Sequence, residues 1–122
     1  MKIRNSIVVG AVAALSVVAL AGGIVLRANL VGTGKGKVAW KINDKPGQLE
    51  AQLEASGENL PRSSAFTLTI GSNMPFVVTT DALGNYKLSQ RYTTAIRLFV
   101  APGMPVTLKN AAGTIVQSGL FQ

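Results

Sequence analysis

The chain has 122 residues, with twelve Lys and Arg against five Asp and Glu, a net charge of +7, and no His or Cys. That length accommodates one small domain. The missing imidazole and thiol exclude zinc sites built from Cys or His, haem and iron–sulfur ligation, disulfides, and any triad that needs His or Cys.

The first feature along the chain is an address. Lys2 and Arg4 form a short basic start, and Ile7 to Leu26 contains no charged residue. Ala19-Leu20-Ala21 before Gly22 is a small-x-small cleavage pattern, so residues 1–21 read as a secretory signal peptide. The rival reading is an uncleaved membrane anchor over residues 7–26, a run long enough to cross a hydrocarbon core. Lys2 and Arg4 would then hold the cytoplasmic side. Both readings export the body of the protein to the periplasm, the cell surface or the extracellular space. Loss of the leader would remove Lys2 and Arg4 and lower the charge from +7 to +5. An exported domain without disulfides has to rely on its own core.

Residues 22–36 read as a Gly-rich linker and residues 37–122 as an all-β domain. Within it, Lys37–Ile42 alternates Val38, Trp40 and Ile42 against lysines, which turns Trp40 inward. Asn43–Gly47 is a turn. Gln48–Ser56 has the composition of a helix but the period of a strand, with Leu49, Ala51, Leu53 and Ala55 on one side. Ala65–Gly71, Phe76–Thr80, Tyr86–Gln90, Ala95–Val100, Val106–Lys109 and Thr114–Phe121 complete about eight short strands. Turns fall at Ser72–Pro75, Asp81–Asn85, Ala101–Gly103 and Asn110–Gly113, with Gly84 placed for a left-handed conformation. Phe66, Phe76, Phe99 and Phe121 read as core or inter-sheet packing, and no internal repeat stands out. The expected fold class is all-β: a small antiparallel β-sandwich or barrel after an N-terminal hydrophobic helix.

With those turns in view, Leu49 to Gln122 resembles small secreted bacterial β-sandwich modules of unknown function. The motifs that carry the resemblance are Asn59-Leu60-Pro61, Thr80-Asp81-Ala82-Leu83-Gly84, Pro105-Val106-Thr107, Gly113-Thr114 and Ser118-Gly119-Leu120-Phe121. The Thr80–Tyr86 turn is also similar to one in carboxypeptidase-regulatory-like β-sandwich domains. The resemblance implies an exported β-sandwich without known catalysis and carries over no binding residues.

Catalytic and metal readings are weak. Gly32-Thr33-Gly34-Lys35-Gly36-Lys37 lacks the glycine spacing and the Ser or Thr of a phosphate loop. Glu50 and Glu54 on one strand stand about 13 Å apart, wider than a carboxylate pair needs. Asp81 with Asn85 has too few acids for calcium and fits a turn in which the carboxylate accepts backbone N–H groups. Ser63-Ser64 and Lys87-Leu88-Ser89 carry no sign of a buried Ser–Lys nucleophile. The expectation is therefore no enzyme and no cofactor.

The basic residues are more informative. Lys35, Lys37, Lys41 and Lys45 fall within one short stretch and form a candidate polyanion-binding strip, facing an anionic envelope polymer or a lipid surface. The competing reading is protection of an edge strand against aggregation. Nucleic acid would require aromatics interleaved with the cations, and none is expected as a specific partner. The functional expectation is an envelope-associated binding or scaffold module. The alternative is the subunit of a homopolymeric surface assembly that self-associates through strand edges.

Overall fold

The computed structural model describes residues 24–45, 48–93 and 98–122. These contain eight strands: β1 (Ile24–Gly32), β2 (Gly34–Lys45), β3 (Gln48–Glu58), β4 (Ala65–Ile70), β5 (Phe76–Thr79), β6 (Tyr86–Tyr92), β7 (Pro105–Asn110) and β8 (Ile115–Leu120). All pair antiparallel in one sheet of order β5-β4-β7-β8-β1-β2-β3-β6. The sheet curls until its two edges, β5 and β6, face each other across a seam, which gives a nearly closed barrel. No described residue is helical. Among them no helix is long and apolar enough to cross a membrane. The signal-peptide reading of residues 1–21, and most of the anchor reading of 7–26, lie outside the described residues.

The linker expected over residues 22–36 is corrected. Leu26, Ala28 and Leu30 turn toward the core while Val25, Arg27, Asn29 and Val31 face out, so residues 24–32 are a strand. It pairs with β2 along its whole length, from Ile24↔Ile42 to Gly32↔Gly34, leaving only Thr33 to turn the chain. Gly36 is needed for space inside the barrel: a Cβ there would lie 2.5 Å from Gln117 Oε1. The glycines therefore mark a tight turn and a close approach. Strand structure is already present at Ile24, ahead of Lys37, and the last residues of the anchor reading, Ile24–Leu26, belong to the sheet.

A second correction concerns Ala95–Val100. Leu98 to Val100 form no ladder, and residues 94–97 lie outside the described set. Leu98 is buried, yet Phe99, expected in the core, is 68% exposed. The described residues hold eight strands, among them β1, which the sequence reading had not included.

The barrel interior follows the two-residue period of each strand. Trp40, Leu53, Leu68, Ile70, Val106, Leu108 and Phe121 are buried, and Trp40 meets Tyr92 edge-on with centroids 6.0 Å apart. Gly57 clears room for the Tyr86 ring, which a Cβ would approach to 2.3 Å. Burial pushes the Tyr86 phenol up to about 12, so it stays neutral at physiological pH.

Two turns at one end of the barrel share one construction. Asp81 Oδ1 accepts the N–H groups of Leu83 (2.9 Å) and Asn85 (3.0 Å), and Asn110 Oδ1 accepts those of Ala112 (3.0 Å) and Thr114 (2.9 Å). Each turn follows a strand entered through Met-Pro (Met74-Pro75 and Met104-Pro105), a local echo that no repeat was expected to provide. A neutral Asn doing the same work as Asp81 places Asp81 in turn-making. The Asn85 and Leu83 N–H groups hold the Asp81 carboxyl below its usual range. A depressed folded-state pKa stabilises the fold above the unfolded value and stops doing so as pH falls through the folded value. Asp81→Asn is thus expected to fold, to be less stable than the parent at neutral pH, and to match it in acid. Denaturant midpoints across pH test this; a difference independent of pH would contradict it.

The Asp81 turn is also stapled to the loop at residues 59–64. Leu60 N–H donates to Gly84 O (3.1 Å), Ser63 N–H to Asp81 O (3.0 Å), and Ser64 N–H to Thr80 Oγ1 (2.9 Å). Thr80 Oγ1 donates to Pro61 O (2.6 Å), and buried Leu60 closes this end of the barrel. The Asn-Leu-Pro and Thr-Asp-x-x-Gly motifs, distant in sequence, are thus two halves of one cap.

Candidate functional site: a basic outer face

Antiparallel registry stacks the outward residues of β1, β2, β3 and β6 in rows. One row reads Asn29–Lys37–Ser56–Lys87, the next Arg27–Ala39–Glu54–Ser89, and the third Val25–Lys41–Gln52–Arg91. Lys35 extends the face beside Glu58. Four strands thus collect Arg27, Lys35, Lys37, Lys41, Lys87 and Arg91 on one side. The short side chains of Ala39 and Ser56 leave an open groove of about 630 Å³ at the centre, walled by Arg27, Lys37, Lys41, Lys87 and the single acid Glu54.

Charge pairing divides these cations into two groups. Lys41 Nζ lies 3.4 Å from Glu54 Oε1, and Gln52 Nε2 donates to Glu54 Oε2 at 3.0 Å. Arg91 lies 3.1 Å from Glu50. Such exposed pairs are worth about 0–1 kcal/mol to the fold, but each partly cancels a cation that a ligand could use. Among the described residues, Arg27, Lys35, Lys37 and Lys87 have no carboxylate within 4.0 Å. Lys37 and Lys87 flank Ser56 in one row, with Asn29 beside Lys37, and Arg27 stands in the next row and lines the same groove. Lys37 and Lys87 stand on either side of β3, about 10 Å apart from the spacing of strands. An array of cations with interspersed neutral donors fits the repeated negative groups of a polymer better than a single anion.

Three lysines of the expected strip lie on this face, together with cations from other strands. Lys35, Lys37 and Lys41 share the outer face, as the alternation along β2 requires. Lys45 stands at the far end of β2 opposite Gln48, and its side chain lies outside the description. The expected strip did not include Arg27, Lys87 or Arg91. Arg27 was hidden by the linker reading. Lys87 and Arg91 were legible as alternating outward positions on β6, but only the β3–β6 pairing sets them beside Lys37 and Lys41.

Glu50 and Glu54 each engage a different cation on the exposed face. Among the described residues there is no group of three or more side chains suited to hold a metal. No protein-family model and no curated protein sequence matches the chain, so the reading of this face rests on its own geometry.

Proposed function

We propose that this protein is an exported, non-catalytic binding module that contacts anionic polymers of the cell envelope through the outer face of β1, β2, β3 and β6. The observation that carries this reading is that Arg27, Lys37 and Lys87 line one groove with no carboxylate within 4.0 Å of their side-chain cations among the described residues, while the Glu54 carboxylate on the same groove is engaged by Lys41. Edge protection alone explains lysines on an outermost strand. It does not explain Arg27 and Lys37, because β1 and β2 lie inside the sheet, although Lys87 stands on the edge strand β6. The test is binding of dextran sulfate by the purified protein at increasing salt. Affinity is expected to fall steeply with ionic strength, since exposed charges are screened over about 10 Å at 0.1 M. Absent binding, or binding indifferent to salt, would refute the proposal.

One observation favours a second reading, self-association by strand addition. The β6 edge is unpaired toward the seam, and Gln90, which faces inward by alternation, is exposed there. Sedimentation at high protein concentration decides this reading; a monomer throughout would remove it.

A further inference from the structure

The strand directions give the barrel two distinct ends. Thr33, the 59–64 loop and the turns at Asp81 and Asn110 lie at one end. Ile24, the 71–75 loop, the 98–104 segment and the chain terminus at Gln122 lie at the other. This second end carries two exposed large apolar side chains on neighbouring loops, Met74 at 86% and Phe99 at 68%.

Their presentation is built into the fold. Asn73, next to Met74, donates from Nδ2 to Phe99 O and to Ile70 O, both at 2.7 Å, and accepts the Phe99 N–H at Oδ1 at 2.9 Å. One amide thus holds the Phe99 backbone from both sides and ties it to the end of β4. With the backbone fixed there, the ring remains in water although buried Leu98 precedes it. Isolated exposed apolar residues need no explanation, but a Phe99 whose backbone is clamped with its ring outward, beside exposed Met74, calls for a partner.

The chain itself indicates which partner. Ile24 enters the barrel at this same end, and the uncharged run that begins at Ile7 leads directly into it. A membrane-directed segment joined here brings this end, and not the Asp81 end, to the bilayer during export, whether or not the leader is later removed. We infer that Met74 and Phe99 are apolar tips that seat this end of the barrel on a phospholipid bilayer. Aromatic and thioether side chains enter the boundary between headgroups and acyl chains at a gain set by the apolar area removed from water. The basic face runs along the barrel wall between the two ends, so lipid contact at the tips leaves it open to a polymer.

The opposite end supplies an internal control, because Leu83 is 78% exposed on the Asp81 turn. The experiment uses full-length Phe99→Trp and Leu83→Trp proteins mixed with phosphatidylcholine–phosphatidylglycerol vesicles containing brominated lipid. Native Trp40 is buried and serves as a constant background that reports folding. Phe99→Trp is expected to shift to the blue on vesicle addition and to lose most of the added indole's emission to bromine quenching. Leu83→Trp is expected to do neither. Equal quenching of both, or no quenching of Phe99→Trp, would overturn the inference. So would a blue shift of Phe99→Trp that grows with protein concentration without vesicles, which would assign these tips to a second copy of the chain.

Discussion

Gly84→Ala is expected to destabilise the protein by about 4 kcal/mol and Gly113→Ala by about 1 kcal/mol, although the two glycines occupy equivalent turns. Their backbones are alike, with φ of 82° and 85°. Forcing an L-residue into that left-handed conformation costs about 1–2 kcal/mol at either site. The surroundings differ. A Cβ at Gly113 meets nothing within 4 Å, whereas one at Gly84 would lie 2.1 Å from Leu60 O. That carbonyl belongs to the loop whose Leu60 N–H bonds Gly84 O, so neither strand of the cap can yield without breaking the staple. Thermal or denaturant unfolding of the two variants measures the difference. Equal losses would mean that the 59–64 loop does not press on the turn.

The second large effect concerns binding. Arg27→Ala, Lys37→Ala and Lys87→Ala combined are expected to weaken dextran sulfate binding about 100-fold, from about 1 kcal/mol per cation at a polyanionic surface. Arg62→Ala is the control, since Arg62 is exposed on the 59–64 loop away from the face. Glu54→Gln should act in the opposite direction and strengthen binding several-fold, because it frees Lys41 and removes a negative charge from the groove wall. All these residues are outward and substantially exposed, so the unfolding transition is expected to move little. A triple variant that binds like the Arg62→Ala control would show that the groove does not hold the polymer.

The strands were legible wherever period two ran unbroken between turn residues. Gln48–Ser56 shows why period outranks composition: its Leu, Glu, Ala and Gln favour a helix, yet only a strand places Leu53 and Ala55 together in the core. The Asp81 and Asn110 turns were legible because their chemistry is local. β1 was obscured because its inward residues, Leu26, Ala28 and Leu30, straddle the end of an apolar leader and the start of a glycine-dense stretch. Phe99 was misplaced because alternation cannot register the Asn73 clamp, whose partners are 26 residues apart. The site was half legible for a similar reason. Cations on β2 share a face by parity alone, but the convergence of Arg27, Lys37 and Lys87 depends on which strands become neighbours.

That convergence is the core of the functional account, and mapping the ligand onto individual amides tests it most directly. Backbone chemical shifts of the protein titrated with dextran sulfate are expected to move at Arg27, Asn29, Lys37, Ser56, Lys87 and Ser89, and to stay still at Thr67, Thr69 and Thr107, outward positions on β4 and β7. Raising the salt should reverse the shifts. Shifts centred on β4 and β7, or spread evenly around the barrel, would contradict a binding face on β1, β2, β3 and β6.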